Sequence, residues 1–127
     1  PGGNQLRGME RWRYRELKAE IRRMLARFFE DNGPPPKSKK FKIHCTRVGK
    51  SRMDKDNYVF LFKPWLDVLQ EKFLLQSSDP FEDRKESRPV ITDDSPGYCE
   101  LRYSQETGPQ YRVSITLVPY QNTSVSR

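Results

Sequence analysis

One histidine, two cysteines and no apolar run near the roughly 18 residues that a membrane-spanning helix needs are what this sequence offers at its sparsest. Each scarcity excludes something. His44, Cys45 and Cys99 cannot make up the four-ligand Cys/His set of a structural zinc site, and neither cysteine belongs to a C-x-x-C pair. Both cysteines fall in strand-like segments. They read as buried free thiols of a reducing compartment or, alternatively, as one disulfide. No secretory signal is visible, and because the chain begins at Pro1 without a Met, a preceding targeting segment stays open. An intracellular, DNA-associated location is the expectation. There are no internal repeats.

Charge is plentiful instead. The 127 residues are 34% hydrophobic and 32% charged, with 24 Lys and Arg against 17 Asp and Glu and a net charge of +7. That surplus favours a polyanionic partner, whether DNA, RNA or an anionic surface, over a neutral one. The length suits one domain with a modest core. We expect that domain over residues 1–118, followed by a polar tail, 119–127.

Residues 9–31 carry a helical pattern. Tyr14, Leu17, Ile21, Met24, Leu25 and Phe28 recur at spacings of three and four and define an apolar face. Asn32-Gly33 is a stop signal and Pro34-Pro35-Pro36 prevents resumption. Beside the apolar face run Arg11, Arg15, Lys18 and Arg22, apart from Glu16 and Glu20. This stripe is either an ordinary solvated face or a contact surface for phosphates. Phe41, Ile43 and Cys45 then alternate with Lys42, His44 and Thr46, predicting a half-buried strand with a basic outer face. Residues 47–57 read as polar connection. A second helix carries Phe62, Leu66, Leu69 and Phe73. It begins near Lys63 with Pro64 in its first turn, or starts earlier and kinks there. Residues 76–90 read as a long charged loop. Two period-two runs, Cys99 to Tyr103 and Tyr111 to Leu117, flank Gly108-Pro109 and predict a C-terminal antiparallel hairpin. The expected class is α+β: a small sheet ending in that hairpin, with two helices packed on one face.

The candidate chemistry lies in the carboxylates. Asp54 and Asp56 are two residues apart, and in an extended segment such residues point the same way. Adjacent carboxylates repel unless a proton or cation lies between them. Mg²⁺, held by one or two carboxylates together with waters and phosphate oxygens, suits the pair. Asp93-Asp94 is a second acidic pair. The ordinary alternatives are a helix cap at Asp54 to Asn57 and a turn at Asp93-Asp94-Ser95. An EF-hand loop beginning at Asp54 is excluded, because Val59 and Trp65 stand where it requires Gly and Glu.

Taken in order, Asp54-Lys55-Asp56-Asn57, Lys63-Pro64-Trp65-Leu66-Asp67-Val68-Leu69 and Asp93-Asp94-Ser95 resemble the signature of RusA-type Holliday junction resolvases. In that family an Asp-x-Asp-Asn motif opens a helix bearing Lys and then Asp-x-Leu, followed by an Asp-Asp pair and a closing hairpin. Pro1-Gly2-Gly3-Asn4 resembles the end of the family's Pro-containing loop, and the likeness spans nearly the whole chain. It departs in lacking the strand before that loop, in a longer gap between Asn57 and Lys63, and in a long loop before Asp93. The resemblance implies a homodimeric endonuclease, acting in DNA recombination and repair, that cuts four-way junctions symmetrically. It implies Mg²⁺ at Asp54, Asp56 and Asp94, with Asp93 as a fourth candidate ligand and Lys63 as electrostatic helper. The expected phosphate contacts are Arg11, Arg15, Lys18 and Arg22, with Lys40, Lys42, Lys50 and Arg52 nearer the metal. The alternatives are a non-catalytic nucleic-acid-binding module and a domain that binds an acidic protein.

Overall fold

The computed structural model describes residues 11–77, 79 and 81–120. The resemblance at Pro1–Asn4, and the predicted helical residues 9 and 10, lie outside the described residues.

Helix α1 (Arg11–Asn32) ends where the sequence places its stop. Gly33 adopts φ 91° and donates its N–H to the Phe29 carbonyl (2.8 Å), a left-handed cap that glycine takes without a Cβ penalty. Ile21 is the fully buried residue of α1, with Tyr14, Leu25 and Phe29 half-buried. Leu17, Met24 and Phe28, expected on the buried face, are exposed. The docking face is therefore rotated toward Lys18 and Arg22, because α1 lies on a helix and a short strand rather than on a broad sheet.

Strand β1 (Phe41–Gly49) alternates as predicted but runs further, taking in residues expected to be connection. Helices α2 (Lys55–Phe60) and α3 (Lys63–Leu69) divide the predicted second helix, with Pro64 in the first turn of α3. Phe73 is not helical. It opens β2 (Phe73–Gln76), which pairs antiparallel with β3 (Lys85–Arg88) inside the segment read as a loop. Phe73 and Leu75 are buried while Leu74 and Gln76 are exposed, a period of two too short to stand out beside a helix. Strand β3, Lys-Glu-Ser-Arg, has no apolar residue at all.

The larger correction concerns the C-terminal hairpin. Strands β4 (Cys99–Thr107) and β5 (Arg112–Pro119) exist, but they are not neighbours: the sheet order is β4-β1-β5. β1 pairs parallel with β4 (Ile43 with Leu101, Arg47 with Gln105) and antiparallel with β5 (Ile43 with Leu117). Phe41, Ile43 and Cys45 are the deepest residues of the sheet, so β1 takes its centre. The connection from Gly108 to Tyr111 must cross two strand spacings, roughly 10 Å, which four residues span easily. It passes close over the end of β1. Gly108 donates its N–H to the Gly49 carbonyl (2.9 Å), and a Cβ on Gly108 would lie 2.9 Å from Val48 Cγ1. Pro119 closes β5, and Tyr120 N–H bonds the Lys40 carbonyl (2.9 Å), so the sheet extends past the expected domain boundary. Residues 121–127 lie outside the described residues.

The domain is thus α+β, with a mixed three-stranded sheet and a separate antiparallel pair. Phe41, Ile43, Phe62, Leu66, Val68, Leu69, Phe73 and Ile91 form one core between sheet, helices and β2. Cys45 and Cys99 are buried free thiols rather than a disulfide. Burial pushes the Cys45 thiol up to about 12. Cys99 is pushed up to about 11 by burial and then by the nearby charges of Asp94 and Asp93. Among the described residues, no helix is long and apolar enough to cross a membrane.

Candidate functional site

The sheet offers two faces. Phe41, Ile43, Leu101, Tyr103 and Leu117 point to the core side, while Lys42, Glu100, Arg102 and Val118 point away. On the core side a groove of about 450 Å³ opens between α2, α3 and β4. It is lined by Lys55, Asp56, Val59, Phe60, Lys63, Leu66, Asp94, Leu101 and Tyr103. Asp56, Lys63 and Asp94 come from three separate sequence segments, and all three line this groove.

The aspartates divide into two groups by what their carboxylates already do. Asp93 is committed locally: Oδ1 accepts the Asp94 N–H (2.8 Å), Oδ2 accepts the Ser95 hydroxyl (3.2 Å), and its carbonyl accepts the Cys99 thiol (3.1 Å). It shapes the turn, and it is not among the groove-lining residues. Asp67 accepts the Tyr14 hydroxyl (2.6 Å) and pairs with Lys63 (3.2 Å). By contrast, the carboxylates of Asp54, Asp56 and Asp94 take no hydrogen bond or ion pair among the described residues. Asp54 occupies the N-cap position of α2, yet its side chain makes no capping bond. Only its carbonyl serves the helix, accepting from Asn57 and Tyr58 (both 3.0 Å).

The expected three-aspartate centre is not assembled. Among the described residues, no group of three or more His, Cys, Asp or Glu side chains is placed to hold a metal ion, and Asp54 is not among the groove-lining residues. What the groove does bring together is two uncommitted carboxylates, Asp56 and Asp94. That donor set fits Mg²⁺, which is bound through one or two carboxylates and otherwise keeps waters and phosphate oxygens. Lys63 sits on the groove rim, half-exposed, oriented by its i,i+4 pair with Asp67. The gap at Leu61 and Phe62 means that Asp56 and Lys63 do not share one continuous helix, as the sequence allowed. Both nevertheless line the groove, on either side of the turn that holds the buried Phe62.

The basic residues also divide. Lys18 and Arg22 are turned inward. Both pair with Glu71 (3.8 and 3.0 Å), and Arg22 also bonds the Lys72 carbonyl and lies over the Phe73 ring at 4.5 Å. Half of the expected phosphate stripe is therefore an intramolecular clamp between α1 and the start of β2. Arg11 and Arg15 are exposed, with no ion pair among the described residues. Lys40 and Lys42 lie over the Tyr120 ring (4.5 and 5.1 Å), and Lys42 points away from the groove rather than toward a metal. Lys50 and Arg52 are exposed on the segment leading into Asp54.

Three residues near the groove escaped the sequence reading: Tyr103, Arg47 and Gln105. All occupy the inward phase of a strand, Arg47 in β1 and the other two in β4. A charged or amide side chain in that phase was the available signal. Burial, with lesser effects from Cys45 and Asp94, pushes the Tyr103 phenol up.

The Tyr14–Asp67 bond couples α1 to α3 and yields a pH prediction. Burial first, then the bond and charge of Asp67, raises the Tyr14 phenol above its ordinary value. A raised folded-state value means that the stabilisation is complete below the ordinary phenol pKa of about 10 and is lost as pH rises beyond it. Tyr14→Phe should cost about 1 kcal/mol at neutral pH. In thermal melts, its deficit against wild type should hold constant to about pH 9 and close above about pH 10. A deficit independent of pH through that window would contradict this account.

No family model, curated protein or solved structure matches the chain.

Proposed function

We propose that this chain is a Mg²⁺-dependent, structure-specific DNA endonuclease of the RusA type that resolves four-way junctions as a homodimer. The observation that carries the reading is the groove itself. The Asp-x-Asp-Asn, Lys-Pro-x-Leu-Asp and Asp-Asp segments all send residues to it, Asp56, Lys63 and Asp94 among them, and its two carboxylates are uncommitted. Asp56 and Asp94 would hold the metal. When bound, Mg²⁺ supplies charge neutralisation at the phosphate and a more acidic water. Lys63, at the rim, places an ammonium where charge develops on a phosphodiester in the groove. Leu66, Leu101 and Tyr103 supply apolar lining to the groove. Asp54 is exposed at the N-cap position of α2 and is not among the groove-lining residues. Arg11, Arg15, Lys50 and Arg52 supply exposed cations for phosphate contacts, which give affinity and register but no base sequence.

Incubating the protein with a synthetic four-way junction tests the reading. Paired, symmetric nicks that require Mg²⁺ and vanish with EDTA are expected. A second reading, a non-catalytic nucleic-acid-binding module, is favoured by the unassembled three-aspartate set. Tight junction binding without cleavage in Mg²⁺ or Mn²⁺ would establish that reading instead.

The divided stripe gives its own prediction. Neutralising Arg11 and Arg15 together should lower the slope of log affinity against log salt by about two, near 0.9 for each phosphate that is no longer neutralised. Neutralising Lys18 and Arg22 should leave the slope unchanged and lower the melting temperature, because their partners are Glu71 and Phe73. Titration of an uncleaved junction in Ca²⁺ at several salt concentrations checks both, and the reverse pattern would return the stripe to the DNA surface.

A further inference from the structure

Arg47 is buried, at 7% exposure, with no carboxylate partner among the described residues. Its Nη1 donates to the Ser51 carbonyl (2.9 Å) and to Gln105 Oε1 (3.0 Å), and its guanidinium lies 5.5 Å from the centre of the Tyr111 ring. Its Nε has no hydrogen-bond partner among the described residues. Burying a cation among neutral groups costs free energy that an aliphatic side chain at the same position would not. The arrangement needs a compensating role, and Gln105 shows what it is.

Gln105 faces Arg47 in register across β1 and β4. Its Oε1 accepts the Met53 N–H (2.7 Å) as well as Arg47, and its Nε2 donates to the Met53 carbonyl (3.0 Å). One side-chain amide thus satisfies both backbone groups of Met53, as a neighbouring strand would. An amide can sit in two orientations that differ by exchange of O and N. A guanidinium only donates, so Arg47 permits just the orientation that turns Oε1 toward it and leaves Nε2 for the Met53 carbonyl. Met53 is followed directly by Asp54, whose carbonyl begins α2, and Asp56 lies in the first turn of α2. The route from guanidinium to aspartates is short and made of buried or backbone groups throughout. The same strand that carries Gln105 continues back to the Asp93-Asp94 turn, through Cys99.

We infer that Arg47 and Gln105 are positioning residues for the aspartate-bearing turn: their pairing fixes Met53, and through it sets where Asp54 and Asp56 stand relative to Asp94. The effect on metal rests on the reading of Asp56 and Asp94 as the Mg²⁺ pair; the effect on the backbone does not.

The test uses Gln105→Met, nearly isosteric and unable to make any of the three bonds, and Gln105→Glu, which keeps both acceptor bonds and loses only the donor. Two quantities are read on the folded chain: Mn²⁺ affinity by calorimetry, and amide hydrogen exchange at Met53, Asn57 and Tyr58, the last two bonded to the Asp54 carbonyl. Gln105→Met should speed exchange at all three amides at least about tenfold and weaken Mn²⁺ roughly 10- to 100-fold, the usual cost of losing an outer-shell support. Gln105→Glu should keep Met53 protected and restore most of the affinity. A purely structural role would lower stability without the rescue in Mn²⁺ affinity. Unchanged exchange, or faster exchange with unchanged Mn²⁺ affinity, overturns the inference. If wild type takes up no Mn²⁺, the endonuclease proposal fails. The inference is then decided by exchange alone, and Asn57 and Tyr58 amides that ignore the loss at Met53 overturn it. Should Gln105→Met not fold, Arg47→Met, which removes the donor to Gln105 Oε1, is scored in the same way.

Discussion

Asp56→Asn should abolish Mg²⁺-dependent cleavage of a four-way junction while leaving junction binding intact or slightly tighter. The side chain is exposed in the groove and accepts nothing else among the described residues, so its replacement by an isosteric amide costs little stability. The amide removes one of the two uncommitted charges that would hold the cation. It also removes a negative charge close to where the phosphate must sit, which explains why binding should not suffer. The expected loss in cleavage rate is on the order of 10²- to 10³-fold or more, the scale of losing one preorganised electrostatic group. Asp94→Asn should behave alike. Asp93→Asn should differ, because Asp93 holds the Asp94 amide and the Ser95 hydroxyl and not the groove. It should retain cleavage and lose some stability. Gel-shift binding in Ca²⁺ and single-turnover cleavage in Mg²⁺ separate the three. A folded Asp56→Asn variant that cleaves at the wild-type rate would remove the groove from consideration as the active site.

The largest effect on stability is expected at Phe62. This ring is 1% exposed, sits at the junction of α2 and α3, and lies 6.0 Å from the Tyr103 ring centre. Its carbonyl accepts the Leu66 N–H (3.0 Å) as α3 begins. Phe62→Ala should cost about 3–5 kcal/mol, the transfer term plus the cavity left beneath the groove. Against a total stability of about 5–15 kcal/mol for a domain, this is enough to shift the urea midpoint by a large fraction. The groove should suffer as well, since this side chain is buried at the turn between the two helices that line it. Met24→Ala, on the solvent side of α1 at 55% exposure, should stay within about 0.5 kcal/mol of wild type. Comparable losses at both positions would mean that the Met24 face is covered in solution.

Local pattern alone determined a good deal here. The helix of α1 and its stop at Gly33, the alternation of β1, β4 and β5, and Pro64 at a helix start all follow from period, cap and backbone chemistry, which act over a few residues. The candidates Asp54, Asp56, Asp94 and Lys63 were read from motif order, a property of the chain; that Asp56, Lys63 and Asp94 line one groove and Asp54 does not is tertiary. Tertiary structure decided which strands became neighbours. Alternation states that a strand has a buried face but not what lies beside it, and the most deeply buried strand, β1, took the place between β4 and β5 that a hairpin would have closed. It decided that Lys18 and Arg22 belong to Glu71, because the direction in which α1 docks rests on the sum of its contacts rather than on one stripe. It decided that Asp93 shapes a turn while Asp94 faces the groove, although the two are adjacent and chemically identical. It also gave β3, four polar residues with no signal of their own, a strand's conformation through backbone bonds to β2. For the strand order and for the Glu71 pairs, the deciding interaction joins residues far apart in sequence, and that is information the local pattern does not hold.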